Sequence, residues 1–281
     1  MKSVVVTGAN SGIGLATALE LAAHGYDVIG TVRSTAKADV LHAAAAERNV
    51  PIRHVVCDVA DAASTERAFA QVATMAPELF AVVNNAGYGF AGPVEEVGDD
   101  AARAIFETNV LGPMRICRLV LPGMRERGEG RIVNVSSIAG RVTTPMTGWY
   151  CASKHALESL SDALRQEVAA FGVKVVLVEP GGFGTGIWNQ ANERLPEPVD
   201  GPYAGAYERA RTLATAAERL PDPVWVARTI RLALAVPFPL ARYLVGFDAV
   251  VGTVLDTLAP TAVADYVKAA SAGLRKVPFL G

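Results

Sequence analysis

Short runs of β-branched and other apolar residues alternate along the chain with longer stretches in which apolar positions recur every three to four residues. Val4–Thr7 reads as a strand and Gly12–His24 as a helix ended by Gly25. Asp27–Val32, Ile52–Cys57, Leu79–Asn84, Arg131–Val135 and Val173–Val178 continue the strand series, and Tyr243–Phe247 adds a seventh. The helical stretches between them run over Ala36–Arg48, Ala62–Ala76, about Asp99 to Arg127, and Trp149–Phe171. The strands are apolar almost throughout, which is the pattern of a parallel sheet covered on both faces. Repeated β-α-β units with right-handed crossovers predict an α/β fold with a doubly wound parallel sheet of about seven strands. No repeat, low-complexity tract or linker interrupts the rhythm. Residues 1–281 are therefore expected to form a single domain, with a C-terminal helical extension over about 249–281.

One stretch departs from that rhythm, from Gly181 to about Asp222. It is rich in Gly and Pro and carries Phe183, Trp188, Tyr203 and Tyr207. In an open α/β sheet, ligands bind at the carboxyl ends of the strands, where this segment begins. Long irregular segments in compact domains commonly serve as lids. Residues 183–215 are expected to be a mobile flap with hinge freedom at Gly182, Gly184 and Gly186.

The first strand ends in Thr7-Gly8-Ala9-Asn10-Ser11-Gly12-Ile13-Gly14. Gly8 permits a tight turn, Gly12 lets the backbone approach a pyrophosphate, and Gly14 lets the helix pack closely on the sheet. A glycine turn between the first strand and first helix points to a dinucleotide, and so to a Rossmann-like arrangement.

This loop resembles that of the short-chain dehydrogenase/reductase family, and the family's other motifs follow in order. Asn84-Asn85-Ala86-Gly87 closes the fourth strand, and Asn109 lies in Glu107-Thr108-Asn109-Val110. Ser137 follows the fifth strand. Tyr150-Cys151-Ala152-Ser153-Lys154 is a Y-x-x-x-K motif 13 residues further on. Pro180-Gly181 ends the sixth strand and is followed by Thr185. The resemblance covers roughly residues 2 to 190 and favours the branch of hydroxysteroid and retinol dehydrogenases. It implies that Asn109, Ser137, Tyr150 and Lys154 are catalytic. It also implies that Gly8, Asn10, Ser11, Gly12, Ile13, Gly14, Asp58, Val59, Asn85, Ala86, Gly87, Pro180, Gly181 and Thr185 bind a nicotinamide coenzyme, together with Tyr150 and Lys154.

The residue types suit that chemistry. Tyr150 and Lys154 are four apart and share a helix face. A free phenol titrates near about pH 10, and a neighbouring ammonium is expected to lower that value. Tyr150 could then give a proton to a carbonyl oxygen or take one from an alcohol. Ser137 would hydrogen-bond the substrate oxygen. The resemblance gives Lys154 the nicotinamide ribose, and gives Asn109 a water that links Lys154 to solvent. Coenzyme choice falls at the end of the second strand. Val32, Arg33 and Ser34 stand there, with no carboxylate to repel a 2′-phosphate, and Arg33 offers a planar fork to bind one. NADP(H) is expected over NAD(H). His155 points away from the Tyr150/Lys154 face, and no G-x-S-x-G elbow is present.

Composition narrows the remaining choices. The net charge of −2 argues against a nucleic-acid partner, which would call for a clearly basic chain. Three cysteines form no C-x-x-C pair, and the four histidines have no metal-ligand spacing, so no metal site is expected. Sparse cysteines, no transmembrane run and no leader pattern suggest the cytoplasm. Two function classes stand: a carbonyl/alcohol oxidoreductase, or a non-catalytic NADP-binding sensor or scaffold. Retention of Ser137, Tyr150, Lys154 and Asn109 favours the enzyme. The segments Tyr88–Val97 and Thr143–Thr147 are small and apolar, so the small-molecule partner is expected to be an uncharged, lipophilic carbonyl compound or alcohol. A homodimer or homotetramer is expected through residues 99–127 and 150–171, using Ile116, Leu119, Val120, Leu157 and Leu164.

Overall fold

A computed structural model describes residues 1–185, 201–215 and 220–275. Seven strands form one sheet in the order β3-β2-β1-β4-β5-β6-β7. They are β1 (Ser3–Val6), β2 (Asp27–Val32), β3 (Ile52–Val56), β4 (Ala81–Asn84), β5 (Gly130–Val135), β6 (Val173–Pro180) and β7 (Arg242–Val245). Every neighbouring pair is parallel. The order reverses between β1 and β4, which opens the crevice where α/β sheets bind ligands.

Successive strand residues serve opposite faces. Val4 and Val6, Ala81 and Val83, and Val176 and Val178 enter one core. Val5, Val82 and Val175 enter the other. The nearly unbroken apolar strands follow from this two-sided burial. The flanking helices are α1 (Gly12–Ala23), α2 (Thr35–Glu47), α3 (Ala62–Met75), α4 (Asp99–Phe106), α5 (Gly112–Arg127) and α6 (Gly148–Val168). They are followed by α7 (Ala204–Thr215), α8 (Val224–Ala235), α9 (Phe247–Leu258) and α10 (Thr261–Ser271).

Three expectations change. The helix expected over Asp99–Arg127 is divided into α4 and α5 by a π-helical turn at Glu107–Leu111. Pro113, in the first turn of α5, has no N–H, so the α-helical bond to the Asn109 carbonyl cannot form. The segment expected to be irregular to Asp222 contains α7, built on the spacing of Ala206, Ala210 and Ala214. Gly186, Trp188 and the rest of that call up to Asp200 lie outside the described residues. The surface assigned to self-association also narrows, because Ile116, Val120 and Leu157 are buried and Leu164 packs on the core. Leu119 is exposed, as is Leu160, which the sequence did not single out. The C-terminal extension is α9 and α10, and residues 276–281 lie outside the described part.

Candidate active site

The carboxyl ends of β1 and β4 are tied together at one residue. Thr7 Oγ1 accepts hydrogen bonds from the backbone N–H of Asn85 at 2.9 Å and of Ala86 at 2.8 Å. Asn85 Nδ2 returns a bond to the Thr7 carbonyl at 2.9 Å. This brings the loop of residues 8–14 against residues 85–87. The approach is so close that a Cβ on Gly14 would lie 2.2 Å from the Gly8 carbonyl oxygen. Gly8 and Gly12 have φ of 67° and 51°, a region that disfavours side chains. Ser11 caps α1 with no side-chain hydrogen bond, so the first turn of α1 keeps N–H groups for an anion. The cradle fits a dinucleotide phosphate.

A second set of ties docks α6. Asn84 Nδ2 donates to Asn134 Oδ1 at 2.8 Å, and Asn134 Nδ2 donates to Ser161 Oγ at 2.8 Å. These buried bonds join β4, β5 and α6. They bring Tyr150 and Lys154 over the end of β5, where Lys154 Nζ donates to the Val135 carbonyl at 2.9 Å. Ser137 starts a short 3₁₀ turn at Ile138–Gly140, and its Oγ accepts from Ala139 N at 3.1 Å. The Ser137 hydroxyl donates to the Pro180 carbonyl at 3.5 Å and pulls the Tyr150 phenol down against its burial.

One cavity of about 1150 Å³ collects most of the expected residues. Gly8, Asn10, Ser11, Gly12, Ile13, Arg33, Asp58, Val59, Asn85, Ala86 and Gly87 line it, as do Ser137, Tyr150, Lys154, Pro180, Gly181 and Thr185. Three expected residues stand off the wall. Gly14 is buried behind the loop, Ser34 caps α2, and Asn109 is buried in the π turn. The Asn109 amide is committed to the chain. Its Oδ1 accepts from Tyr88 N at 3.1 Å, and its Nδ2 donates to the Tyr88 carbonyl and to Ser153 Oγ, each at 3.1 Å. It therefore shapes the Tyr88 wall of the cavity. His155 turns back onto the Cys151 carbonyl at 2.9 Å and takes no part.

The site holds its protons in an unexpected way. Burial pushes the Tyr150 phenol up to about 12, while the Ser137 hydrogen bond pulls against that rise. The lowering expected from Lys154 is not found in the chain alone, because burial outweighs it. Burial also brings the Lys154 ammonium down to about 8, against support from Glu158, so Lys154 is still mainly an ammonium at neutral pH. The protonated phenol is an acid in waiting.

Several lining residues were not among the expected site residues, the charged Lys37, Asp248, Arg209 and Lys268 among them. Lys37 faces the cavity beside Arg33. It lies in the first turn of α2, and its spacing from the end of β2 was the available signal. Asp248 reaches across from α9, where its Oδ2 accepts from Gly182 N at 2.6 Å and so fixes the loop after Pro180-Gly181. Arg209 and Lys268 sit at the far rim; Lys268 is paired with Asp256, and Arg209 leans on the Ser271 carbonyl. These contacts join segments too distant in sequence to be read from spacing.

The profile of the family described as short chain dehydrogenase matches residues 2–196. The 3-ketodihydrosphingosine reductase of Bacteroides thetaiotaomicron is 34% identical over 216 residues, covering 77% of each chain. Human retinol dehydrogenase 5 is 32% identical over 264 residues, covering 88% of this chain and 81% of its own. Among solved structures, a short chain dehydrogenase/reductase from Burkholderia phymatum in complex with NAD superposes with a TM-score of 0.78. It is 27% identical and covers 90% of this chain and 91% of its own. With the strand order, the glycine loop and the Tyr150/Lys154 face all in the places that such a match requires, the chain belongs to the short-chain dehydrogenase/reductase family of oxidoreductases.

Proposed function

We propose that the protein is an NADP(H)-dependent oxidoreductase that interconverts a carbonyl and an alcohol on an uncharged, lipophilic substrate. The carrying observation is that Ser137, Tyr150 and Lys154 share one cavity with the glycine loop. The coenzyme would supply or accept hydride. Residues 8–14 and 85–87 would hold its phosphates and adjoining groups, Asp58 and Val59 its adenine side, and Lys154 its ribose. Thr185 and the Pro180-Gly181 turn would face its amide end. Tyr150 would donate its phenolic proton to the carbonyl oxygen, and Ser137 would hydrogen-bond that oxygen as charge gathers on it. The high proton affinity of Tyr150 suits the reducing direction.

The preference for NADP(H) rests on Arg33 and Lys37, two cations that line the cavity near the β2 end. The Burkholderia neighbour holds NAD, so the family alone does not choose the coenzyme. The substrate reading rests on the far wall. Phe90, Ala91, Pro145, Met146, Ala206 and Leu213 are apolar, and the Bacteroides relative is named as a 3-ketodihydrosphingosine reductase. Assembly as a homodimer or homotetramer would use Leu119 and Leu160 on α5 and α6, both exposed.

The test is NADPH oxidation with matched carbonyl compounds. A long-chain ketone should be reduced with a kcat/KM at least about tenfold above that of a small keto acid. A higher value for the keto acid would overturn the apolar pocket, and no turnover with any carbonyl compound would overturn the enzyme.

A further inference from the structure

Four charged side chains are buried among the described residues: Arg131, Lys154, Glu158 and Glu179. Arg131 bonds to the main chain at the end of α8. The other three belong together. Glu158 lies one helical turn beyond Lys154, on the face of α6 that carries Tyr150. Its Oε2 accepts from Arg242 Nε at 3.1 Å. Arg242, on β7, also meets Glu179 Oε1 at 3.2 Å and Asp162 Oδ2 at 2.5 Å. The second oxygen of Glu179, on β6, accepts from Arg141 Nε at 2.5 Å. From the opposite side the Ser136 hydroxyl faces the Glu158 carboxyl. The packing there is tight. A Cβ on Gly140 would fall 2.8 Å from Ser136 Oγ and 3.3 Å from Glu158 Oε1. Glu158 is thus wedged between the helix of Lys154, the turn of Ser137 and the last strand.

A buried carboxylate persists only where cations and donors compensate it. Arg242 is shared among Glu158, Glu179 and Asp162, so Glu158 is left short of positive charge. Burial and the neighbouring Glu179 raise its carboxyl to about 7. The remaining cation is Lys154, whose ammonium Glu158 supports against its own burial. The support that is evident runs from Glu158 to Lys154, one helical turn apart on the same buried face of α6.

We propose that Glu158 is a positioning residue of the active site: it keeps Lys154 an ammonium at neutral pH, and the Arg242–Glu179–Arg141 network behind it sets how much charge Glu158 carries. The charge coupling is a property of the chain itself. Only its kinetic consequence rests on the oxidoreductase reading. With the carboxylate removed, Lys154 faces burial alone and releases its proton at lower pH.

The full-length protein labelled with ¹³C at lysine Cε and glutamate Cδ tests this by NMR titration, with the Lys154 signal assigned by Lys154→Arg and the Glu158 signal by Glu158→Gln. In the wild type, the Glu158 carboxyl should titrate near neutral pH and the Lys154 signal should respond in the same interval. Glu158→Gln should lower the proton affinity of Lys154 about tenfold, one unit of pKa. Glu158→Asp keeps the charge and should restore most of it. A Lys154 midpoint unchanged in Glu158→Gln would overturn the proposal. So would a wild-type Lys154 signal that ignores the Glu158 titration, a measurement that survives if the variant fails to fold. In turnover, Glu158→Gln should move the alkaline limb of kcat to lower pH with KM for the carbonyl compound unchanged. A shifted Lys154 midpoint in a protein without turnover would support the charge coupling and sink only the oxidoreductase reading.

Discussion

Gly14 carries the sharpest steric demand in the site. Its missing Cβ would lie 2.2 Å from the Gly8 carbonyl and 2.5 Å from Asn85 Nδ2, so the loop and α1 must part if a methyl is added. Gly14→Ala should weaken NADPH binding by at least about tenfold and lower the melting temperature, measured by coenzyme fluorescence and thermal denaturation. Arg33 and Lys37 make a gentler prediction. Arg33→Ala combined with Lys37→Ala should reduce the NADPH/NADH ratio of kcat/KM by about tenfold to a hundredfold; an unchanged ratio removes the 2′-phosphate assignment. Glu158 ties protonation to stability. Its folded-state pKa is raised from 4.5 to about 7, so the folded chain binds that proton more tightly than the unfolded one. The resulting stabilisation is fully present below the unfolded value and is lost as pH rises through the folded one. Glu158→Gln, which has no proton to lose there, should therefore lose less stability than wild type in urea denaturation between about pH 5 and about pH 8.

Helix α6 carries Tyr150 and Lys154 into the site, and α7 lines it from another side. α7 turns Ala206, Ala210 and Ala214 toward the cavity. Tyr207 at its start donates to Glu96 Oε2 at 2.6 Å, and Tyr203 just before it donates to Glu95. These two tyrosine–carboxylate bonds clasp α7 to the loop after β4. Tyr207→Phe should speed amide exchange in residues 204–215 and raise KM for a long-chain ketone several-fold, with kcat much less affected. The clasp also shows where reading from sequence stopped. The strands, the glycine loop and the i, i+4 pair of Tyr150 and Lys154 were legible because each depends on local period or spacing. The π turn around Asn109 was not, because a single proline at 113 redirects one bond without changing the apolar period. The proton affinity of Tyr150 was not legible either. Burial decides it, and burial depends on how α6 docks through Asn134 and Ser161.

For the molecule as a whole, the doubly wound sheet explains why so many distant residues converge. The sheet order reverses between β1 and β4, so the glycine loop, the 85–87 loop, the Ser137 turn and the β6 end all open onto one crevice. The α9 residue Asp248 closes the same crevice from the chain's other end. Among the described residues, no helix is long and apolar enough to cross a membrane. Self-association through α5 and α6 should give a mass of at least two chains in light scattering at micromolar concentration, and Leu119→Glu with Leu160→Glu should return it toward one. The central claim, that Tyr150 passes the proton to a carbonyl compound in this crevice, is tested most directly by single-turnover loss of NADPH absorbance with a long-chain ketone. Tyr150→Phe keeps the ring and loses the hydroxyl. It should bind NADPH within a few-fold of wild type and consume it about 10²–10⁴ times more slowly. A variant that consumes NADPH at the wild-type rate would contradict the account.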